Sequence, residues 1–369
     1  PGRYKWSEID TKEDLFFAKN YFLKMLYLSK IDKNANTARA KHIRSLINAN
    51  ENLSKPIKFY FYNFKIPLKN FKNFCLFLKQ ALSYKNTIYT RDLDYAFLLS
   101  ILNMKVIFEI HQFGMIRKST RLHRFNRIFL YFLANNIKVK LVTLTPYSAR
   151  VLKYLFSIKD KRVFIIPDAG NPSFILKKSN DSNIIVNRNF TIGYAGSFSK
   201  GKGGSETINL AKKLKNYHFF IAGNLNSSQE QYAKSIDNLT YCGYLDDKKM
   251  NEFYNLNDIL IAPIAKRIFL GSKMNNEITF YTSPLKLYEY IATDKPIITI
   301  DRPSTRQFKK VPGVWFIDKK YETSIEIWQE TLEEVKLKIL NKEIEGISRR
   351  RKFFIYDWKS RINDMNRII

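Results

Sequence analysis

Phe190-Thr-Ile-Gly-Tyr-Ala195 runs directly into Gly196-Ser-Phe-Ser-Lys200-Gly-Lys202-Gly-Gly204, and Ser205–Leu214 follows with a helical pattern. The apolar run reads as a buried strand and the glycine-rich run as a loop. In that order, strand, loop and helix bring backbone N–H groups close to a phosphate. Glycine permits the close approach, and the helix N-terminus carries partial positive charge. The spacing is neither GxGxxG nor GxxxxGK[ST]. Lys202 offers a cation for phosphate. A tight glycine turn with no ligand explains the same letters, and both readings stay open at this point.

The pattern continues on both sides of this stretch. Downstream, strands are expected at His218–Ala222, Ile259–Ala262 and Pro296–Ile300, with helices at Asp247–Asn255 and Pro284–Ala292. Upstream, Gly170–Asn189 reads as a linker, with Asn171-Pro172 and a Ser-Asn-Asp-Ser run. Before it, strands at 25–29, 58–64, 87–89, 105–109, 140–143 and 162–166 alternate with helices. Strands apolar on both faces and separated by helices predict parallel sheets covered on both sides. The fold class is therefore α/β, with two Rossmann-like doubly wound domains facing across a cleft. The divisions are an extension at 1–22, a first domain at 23–170, the linker at 171–189 and a second domain at 190–349.

Composition narrows the function classes. With 369 residues and 45% apolar side chains, the chain is long enough for two packed cores and is not disordered. No apolar run reaches the ~18 residues needed to span a bilayer. The opening Pro-Gly-Arg-Tyr-Lys-Trp lacks the apolar stretch of a secretory leader. Cys75 and Cys242 cannot build a disulfide framework or a CxxC metal site, so a reducing, cytoplasmic setting is expected. The net charge of +30 is uneven: residues 1–180 hold 33 Lys/Arg against 11 Asp/Glu, and the remainder 30 against 22. A basic first half suits an anionic partner, although a lysine-rich compositional bias would give the same balance.

The sharpest local signal is Tyr281-Thr-Ser283-Pro284-Leu285-Lys286-Leu-Tyr-Glu289-Tyr-Ile-Ala292. Ser283 is a good N-cap and Pro284 suits the first helical position. Lys286 sits where the helix dipole favours an acid, so contact with a diphosphate explains it, while Glu289 one turn on could accept from ribose hydroxyls. An ordinary capped helix with a solvated Lys–Glu pair is the alternative. Asp92-Leu-Asp94 has the letters of a metal-binding DxD, but a first helical turn capped by Thr90 accounts for both acids. His111 closes an apolar strand at the sheet edge where ligands collect. The four histidines and two cysteines give no zinc pattern.

Taken in order, these pieces resemble the family 4 (group 1) retaining glycosyltransferases of the GT-B fold. The matching segments are Leu26-Tyr-Leu-Ser29 with Asn34–Thr37, Tyr89-Thr-Arg-Asp92, Phe108-Glu-Ile-His111, Ile166-Pro-Asp-Ala169 and Gly193-Tyr-Ala-Gly-Ser197. Further along the chain they are Ile221-Ala-Gly223, Gly243-Tyr-Leu245, Ile261-Ala-Pro263, Ser283–Tyr290 and Tyr356-Asp-Trp-Lys-Ser-Arg361. The resemblance implies a nucleotide-sugar donor, a UDP-sugar favoured, held mainly by the second domain. The acceptor, a glycan or a polyprenyl-diphosphate-linked glycan, would be held by the first. It places Lys202 at the diphosphate, Glu289 at the ribose and His111 at the donor sugar near the reaction centre. Gly196, Ser197, Tyr244, Leu245, Ser283, Pro284, Leu285 and Lys286 would complete the donor site, and Asn36, Thr37 and Gln112 the acceptor side. No metal or other cofactor is implied, and segment 350–369 would pack back on the first domain. The sequence departs from the family twice: Tyr281 stands where the first acid of E-x7-E belongs, and Ser197 stands for the arginine that partners the loop lysine.

Residues 115–138 join Arg117, Lys118, Arg121 and Arg124 to an aromatic and aliphatic face, a pattern suited to an anionic bilayer surface. Packing of that face on the sheet explains it as well. The expected setting is peripheral, at the inner face of the cell membrane, in polysaccharide or surface-glycan assembly. Two competing readings share the fold: a non-catalytic protein that binds nucleotide sugars, and an epimerase. A third, a basic nucleic-acid-binding protein, fits the charge, but no recognised module supports it and nucleic acid is not an expected partner.

Overall fold

The computed structural model describes residues 25–34, 38–50, 57–62, 71–84, 86–111, 121–158, 162–170, 190–269, 279, 283–344 and 356–369. The chain forms two compact units, Pro1–Pro167 with Trp358–Ile369, and Asp168–Asp357.

In the first unit the strands are β1 (Met25–Ser29), β2 (Lys58–Phe61), β3 (Thr87–Thr90), β4 (Val106–Ile110), β5 (Val139–Thr143) and β6 (Val163–Ile165). They pair in the order β2-β1-β3-β4-β5-β6, every pair parallel. The helices between them are α1 (Ala38–Asn50), α2 (Phe71–Leu82), α3 (Leu93–Ile101), α4 (Arg121–Asn135) and α5 (Pro146–Phe156). β1, β3 and β4 are buried along their whole length, which is why none of them alternates apolar with polar residues; β1 and β4 are apolar except for Ser29 and Glu109. The chain's last helix, α11 (Trp358–Arg367), belongs to this unit and sends Ile362 and Met365 into its core.

The second unit repeats the plan with β7 (Thr191–Ala195), β8 (His218–Ala222), β9 (Leu239–Tyr241), β10 (Ile259–Ala262), β11 (Ile297–Ile300) and β12 (Val314–Ile317). The order β12-β11-β10-β7-β8-β9, all parallel, is the Rossmann arrangement, and it reverses direction between β7 and β10. Ligands of such sheets collect at the carboxyl ends of the strands beside that reversal. Its helices are α6 (Gly204–Lys213), α7 (Ser227–Lys234), α8 (Asp247–Leu256), α9 (Leu285–Ala292) and α10 (Ile325–Leu340). One face of the sheet packs against Trp328, Leu332 and Val335 of α10, the other against Leu287, Tyr290 and Ile291 of α9.

Some local expectations need correction. Helix α9 begins one residue later than its spacing predicts: Pro284 occupies the cap and Ser283 gives no side-chain cap bond. Thr90 does not cap α3. Its Oγ1 accepts from Asp92 N at 3.1 Å in a local turn, and Asp92 is the N-cap residue. Helices α7 and α10 and strands β9 and β12 were not anticipated. The linker at 171–189 and the extension at 1–22 lie outside the described residues.

Candidate functional site

The loop 196–203 leaves β7 at the reversal point of the second sheet, and neighbouring segments anchor it. Gly196 N donates to Ala222 O of β8 at 2.9 Å, Ala265 N to Gly201 O at 3.2 Å, and Phe269 N to Lys200 O at 3.0 Å. Gly201 has φ +82°, and a Cβ there would overlap the Arg267 carbonyl oxygen. Only glycine satisfies both conditions. At Gly196, φ +153°, a Cβ would stand 3.0 Å from Lys286 Nζ.

Helix α9 closes the loop from the other side. Tyr290 OH accepts from Ala195 N at 2.8 Å and lies 3.2 Å from Ala195 O, pinning α9 to the end of β7. One turn earlier, Lys286 Nζ donates to the Lys202 carbonyl at 2.8 Å and sits 3.8 Å above the ring of Tyr194. Tyr194 OH in turn reaches the Ser197 carbonyl at 2.8 Å and the Lys202 carbonyl at 3.1 Å. Lys286 therefore braces the loop that carries Lys202, using one of its three N–H groups.

Lys202 and Lys286 are half-buried as residues, their stems partly open to solvent. Burial pulls Lys202 down to about 8, opposed by the Asp168 carboxylate. Burial first and then the charge of Lys202 hold Lys286 well below the ordinary lysine value, while Glu206 and Glu289 oppose them. Glu206 stands in the first turn of α6; burial raises its carboxyl, and its Oε2 is buried with no hydrogen-bond partner among the described residues. The Ser283 hydroxyl is likewise buried with no partner among the described residues. Two cations crowded into a half-buried place, with helix N-termini of α6 and α9 nearby in sequence, form an arrangement that a diphosphate would relieve.

Among the sequence-derived candidates, the structure brings together Gly196, Ser197, Lys202, Lys286 and, by its charge on Lys286, Glu289. Ser197 Oγ bonds Ser199 Oγ at 2.8 Å on the exposed side of the loop. Ser283, Pro284 and Leu285 enter α9, and Leu285 is exposed. Tyr244 and Leu245 follow β9 at the same edge of the sheet; Tyr244 is 71% exposed, and Leu245 packs on the α9 side. Asn36, Thr37, Gln112 and Tyr281 lie outside the described residues. Sequence reasoning missed Tyr194, Tyr290, Glu206 and the charge role of Asp168. Tyrosines at the end of an apolar strand and in a helix look like core, and an acid in a first helical turn looks like a dipole partner.

In the first unit, His111 follows β4, and its Nε2 hydrogen-bonds the buried Glu109 carboxylate. Asp92 and Asp94 are held by cations: Arg39 grips Asp92 through contacts of 2.6 and 2.9 Å, and Lys30 pairs with Asp94. No group of three or more metal-ligating side chains occurs among the described residues.

Residues 189–324 match the family described as glycosyl transferases, group 1. Sucrose-phosphate synthase from Thermosynechococcus elongatus superimposes with a TM-score of 0.65 at 11% identity, covering 94% of this chain and 98% of that one. HepE of Anabaena, solved with UDP and glucose, gives 0.63 at 11% identity, covering 94% and 98%. WaaG, a glycosyltransferase involved in lipopolysaccharide biosynthesis, gives 0.61 at 12% identity, covering 94% and 99%. The fold is that of the GT-B glycosyltransferases. Most of the second unit thus carries the group 1 match, and both sheets share the GT-B architecture. No curated protein matches the chain. Among the described residues no helix is long and apolar enough to cross a membrane.

Proposed function

We propose that the protein is a retaining, metal-independent hexosyltransferase. It would move a sugar from a nucleotide sugar, UDP-sugar favoured, to a glycan or polyprenyl-diphosphate-linked acceptor. The observation that carries this reading is the convergence of Lys202 and Lys286 on the glycine loop at the sheet's reversal point. HepE, whose structures hold UDP and UDP-glucose, supports uridine as the base. In the reaction, the bond from the sugar's C1 to the diphosphate oxygen breaks and its electron pair leaves with the diphosphate. The acceptor hydroxyl forms the new C1–O bond on the same face and passes its proton to the departing diphosphate oxygen. The two lysines and the N-terminus of α9 offset the charge that develops on the leaving group. Glu289 is assigned the ribose and His111 the sugar. With cations doing this work, EDTA should leave transfer intact, and activity that returned only with Mg²⁺ or Mn²⁺ would bring Asp92 and Asp94 back into question.

Product analysis with a panel of nucleotide sugars tests the reading. A glycosylated acceptor supports it, an epimerised sugar nucleotide would make the protein an epimerase, and tight binding without any product would make it a non-catalytic binder.

Proton uptake gives an independent check on the lysines. An anion favours the charged form of Lys202, which has a value of about 8 without ligand. UDP binding should therefore take up about half a proton at pH 8 from this group, less toward pH 7, and affinity should weaken as pH rises further. Calorimetry in two buffers of different ionisation heat measures this; no uptake at pH 8 would remove Lys202 from the phosphate site.

Attachment at the inner face of the cell membrane is the second part of the proposal. Helix α4 buries Leu130, Leu133 and Ala134 but exposes Phe125, Ile128, Tyr131 and Phe132. Packing on the sheet thus consumes only one side of its apolar surface. Arg117 and Lys118 lie outside the described residues, as do the side chains of Arg121 and Arg124. Each cation near an acidic surface contributes about 1 kcal/mol, and salt screens it. Liposomes with acidic lipids should float the protein and release it at about 0.5 M salt. Arg117, Lys118, Arg121 and Arg124 all changed to Glu, or Ile128→Glu with Tyr131→Glu, should abolish flotation. If both variants float like the parent, this face has another use.

A further inference from the structure

The first unit contains a buried polar cluster that the proposed chemistry does not yet use. At its centre is Glu109, on β4, with a fully buried side chain. Arg361, from helix α11 at the far end of the sequence, is equally buried and places Nη2 2.9 Å from Glu109 Oε1. Tyr89 OH donates to the other carboxylate oxygen, and His111 Nε2 bonds Oε1. Arg91 Nε stands 3.8 Å from Oε1. Arg361 Nη1 also donates to Ile166 O at 2.9 Å and to Pro167 O, fixing the guanidinium to the segment after β6.

A second chain of contacts runs from the same helix to the same histidine. Trp358 meets His42 edge-on with ring centres 4.6 Å apart, and His42 meets His111 edge-on at 5.6 Å. Two residues of α11, three positions apart and so on one side of the helix, therefore reach His111: one through a carboxylate, the other through a ring.

The charges agree with this geometry. Burial alone would raise Glu109, but Arg361 first, then His111 and Arg91, hold it well below the usual carboxylate range. His42 is pushed well below the ordinary histidine value by burial and by Arg91 and Arg361. Among the described residues, Tyr27, Arg39 and Asp92 also face the cluster. Whenever the His111 ring is neutral, a carboxylate that accepts from Nε2–H leaves Nδ1 as the acceptor nitrogen.

We infer that Glu109 and Arg361 are positioning residues for His111: Glu109 holds the ring in its Nε2–H form, and Arg361 holds Glu109, so that docking of α11 sets which nitrogen His111 offers to a substrate hydroxyl. The functional half of this inference rests on His111 meeting the donor sugar. The structural half does not.

The test is separable for that reason. The chain has four histidines, so the imidazole nitrogens can be assigned by nitrogen-15 NMR with His111→Gln as the reference. In the parent, on the alkaline side of its own titration, His111 should show a protonated Nε2 and an unprotonated Nδ1. Glu109→Gln and Arg361→Lys should each shift both nitrogens toward a mixture of the two forms and move the histidine's titration. UDP affinity, which depends on the other unit, should stay within about threefold. If Glu109→Gln does not fold, as removal of a buried charge partner can cause, Arg361→Lys keeps the cation and gives the same reading. With an active acceptor, both variants should lower kcat by about 10–100-fold with little change in donor KM, the size of loss seen when the outer partner of a metal-held histidine is removed. Unchanged His111 nitrogen signals in the folded variants overturn the inference. Shifted signals in a protein whose parent shows no transfer would leave the positioning intact and overturn the proposed function instead.

Discussion

Lys202→Ala is expected to weaken UDP binding by about 1.5–3 kcal/mol, or roughly 10- to 150-fold, the usual loss for a charge-assisted hydrogen bond. The substitution removes the ammonium but keeps the backbone carbonyl to which Lys286 donates, so the brace under the loop survives. Lys286→Ala should weaken binding over the same range. It removes a second cation, the bond to the Lys202 carbonyl and the contact over Tyr194 together. The two losses should not add, because the residues share the Lys202 carbonyl and repel one another. Calorimetry on both single variants and the double variant decides this. Parent-like affinity in both singles would mean that UDP does not use this loop.

Gly201→Ala should abolish measurable UDP binding while leaving the second unit folded. A left-handed φ of +82° costs an alanine about 1–2 kcal/mol, and overlap with the Arg267 carbonyl adds to it. The chain segment 264–269 is tied to the loop through Ala265 and Phe269, so it cannot retreat without losing those bonds. The loop must move instead, and Lys202 moves with it. Gly243→Ala is the control: its φ of +71° is similarly unfavourable, but no atom lies within 4 Å of the added carbon. A lost UDP signal in Gly201→Ala alone, with thermal unfolding of both variants lowered by a similar few degrees, would assign the effect to the overlap. Normal binding in Gly201→Ala would show that the loop is not rigid where the phosphates are proposed to sit.

The repetition of apolar strand and helix was legible because each central strand is buried on both faces and so carries no polar alternation. The glycine loop was legible because its backbone needs conformations that other residues avoid, and that need is written directly in Gly196 and Gly201. Helix α10 also left a readable signal, with Ser324 capping and Trp328, Leu332 and Val335 at helical spacing.

What the sequence by itself determined is the α/β class, the sheet-forming runs and the placement of Lys202 and Lys286 in two motifs about eighty residues apart. Helix spacing and strand burial act locally, so local letters report them. Only the tertiary structure decided that Lys286 braces the Lys202 loop from below, that Arg39 and Lys30 take up Asp92 and Asp94, and that Arg361 meets Glu109. Each of those pairings joins distant segments through side-chain direction and burial. A charge gives no sign in the sequence of which distant partner will share its low-dielectric site, because that choice follows from the packing of whole elements.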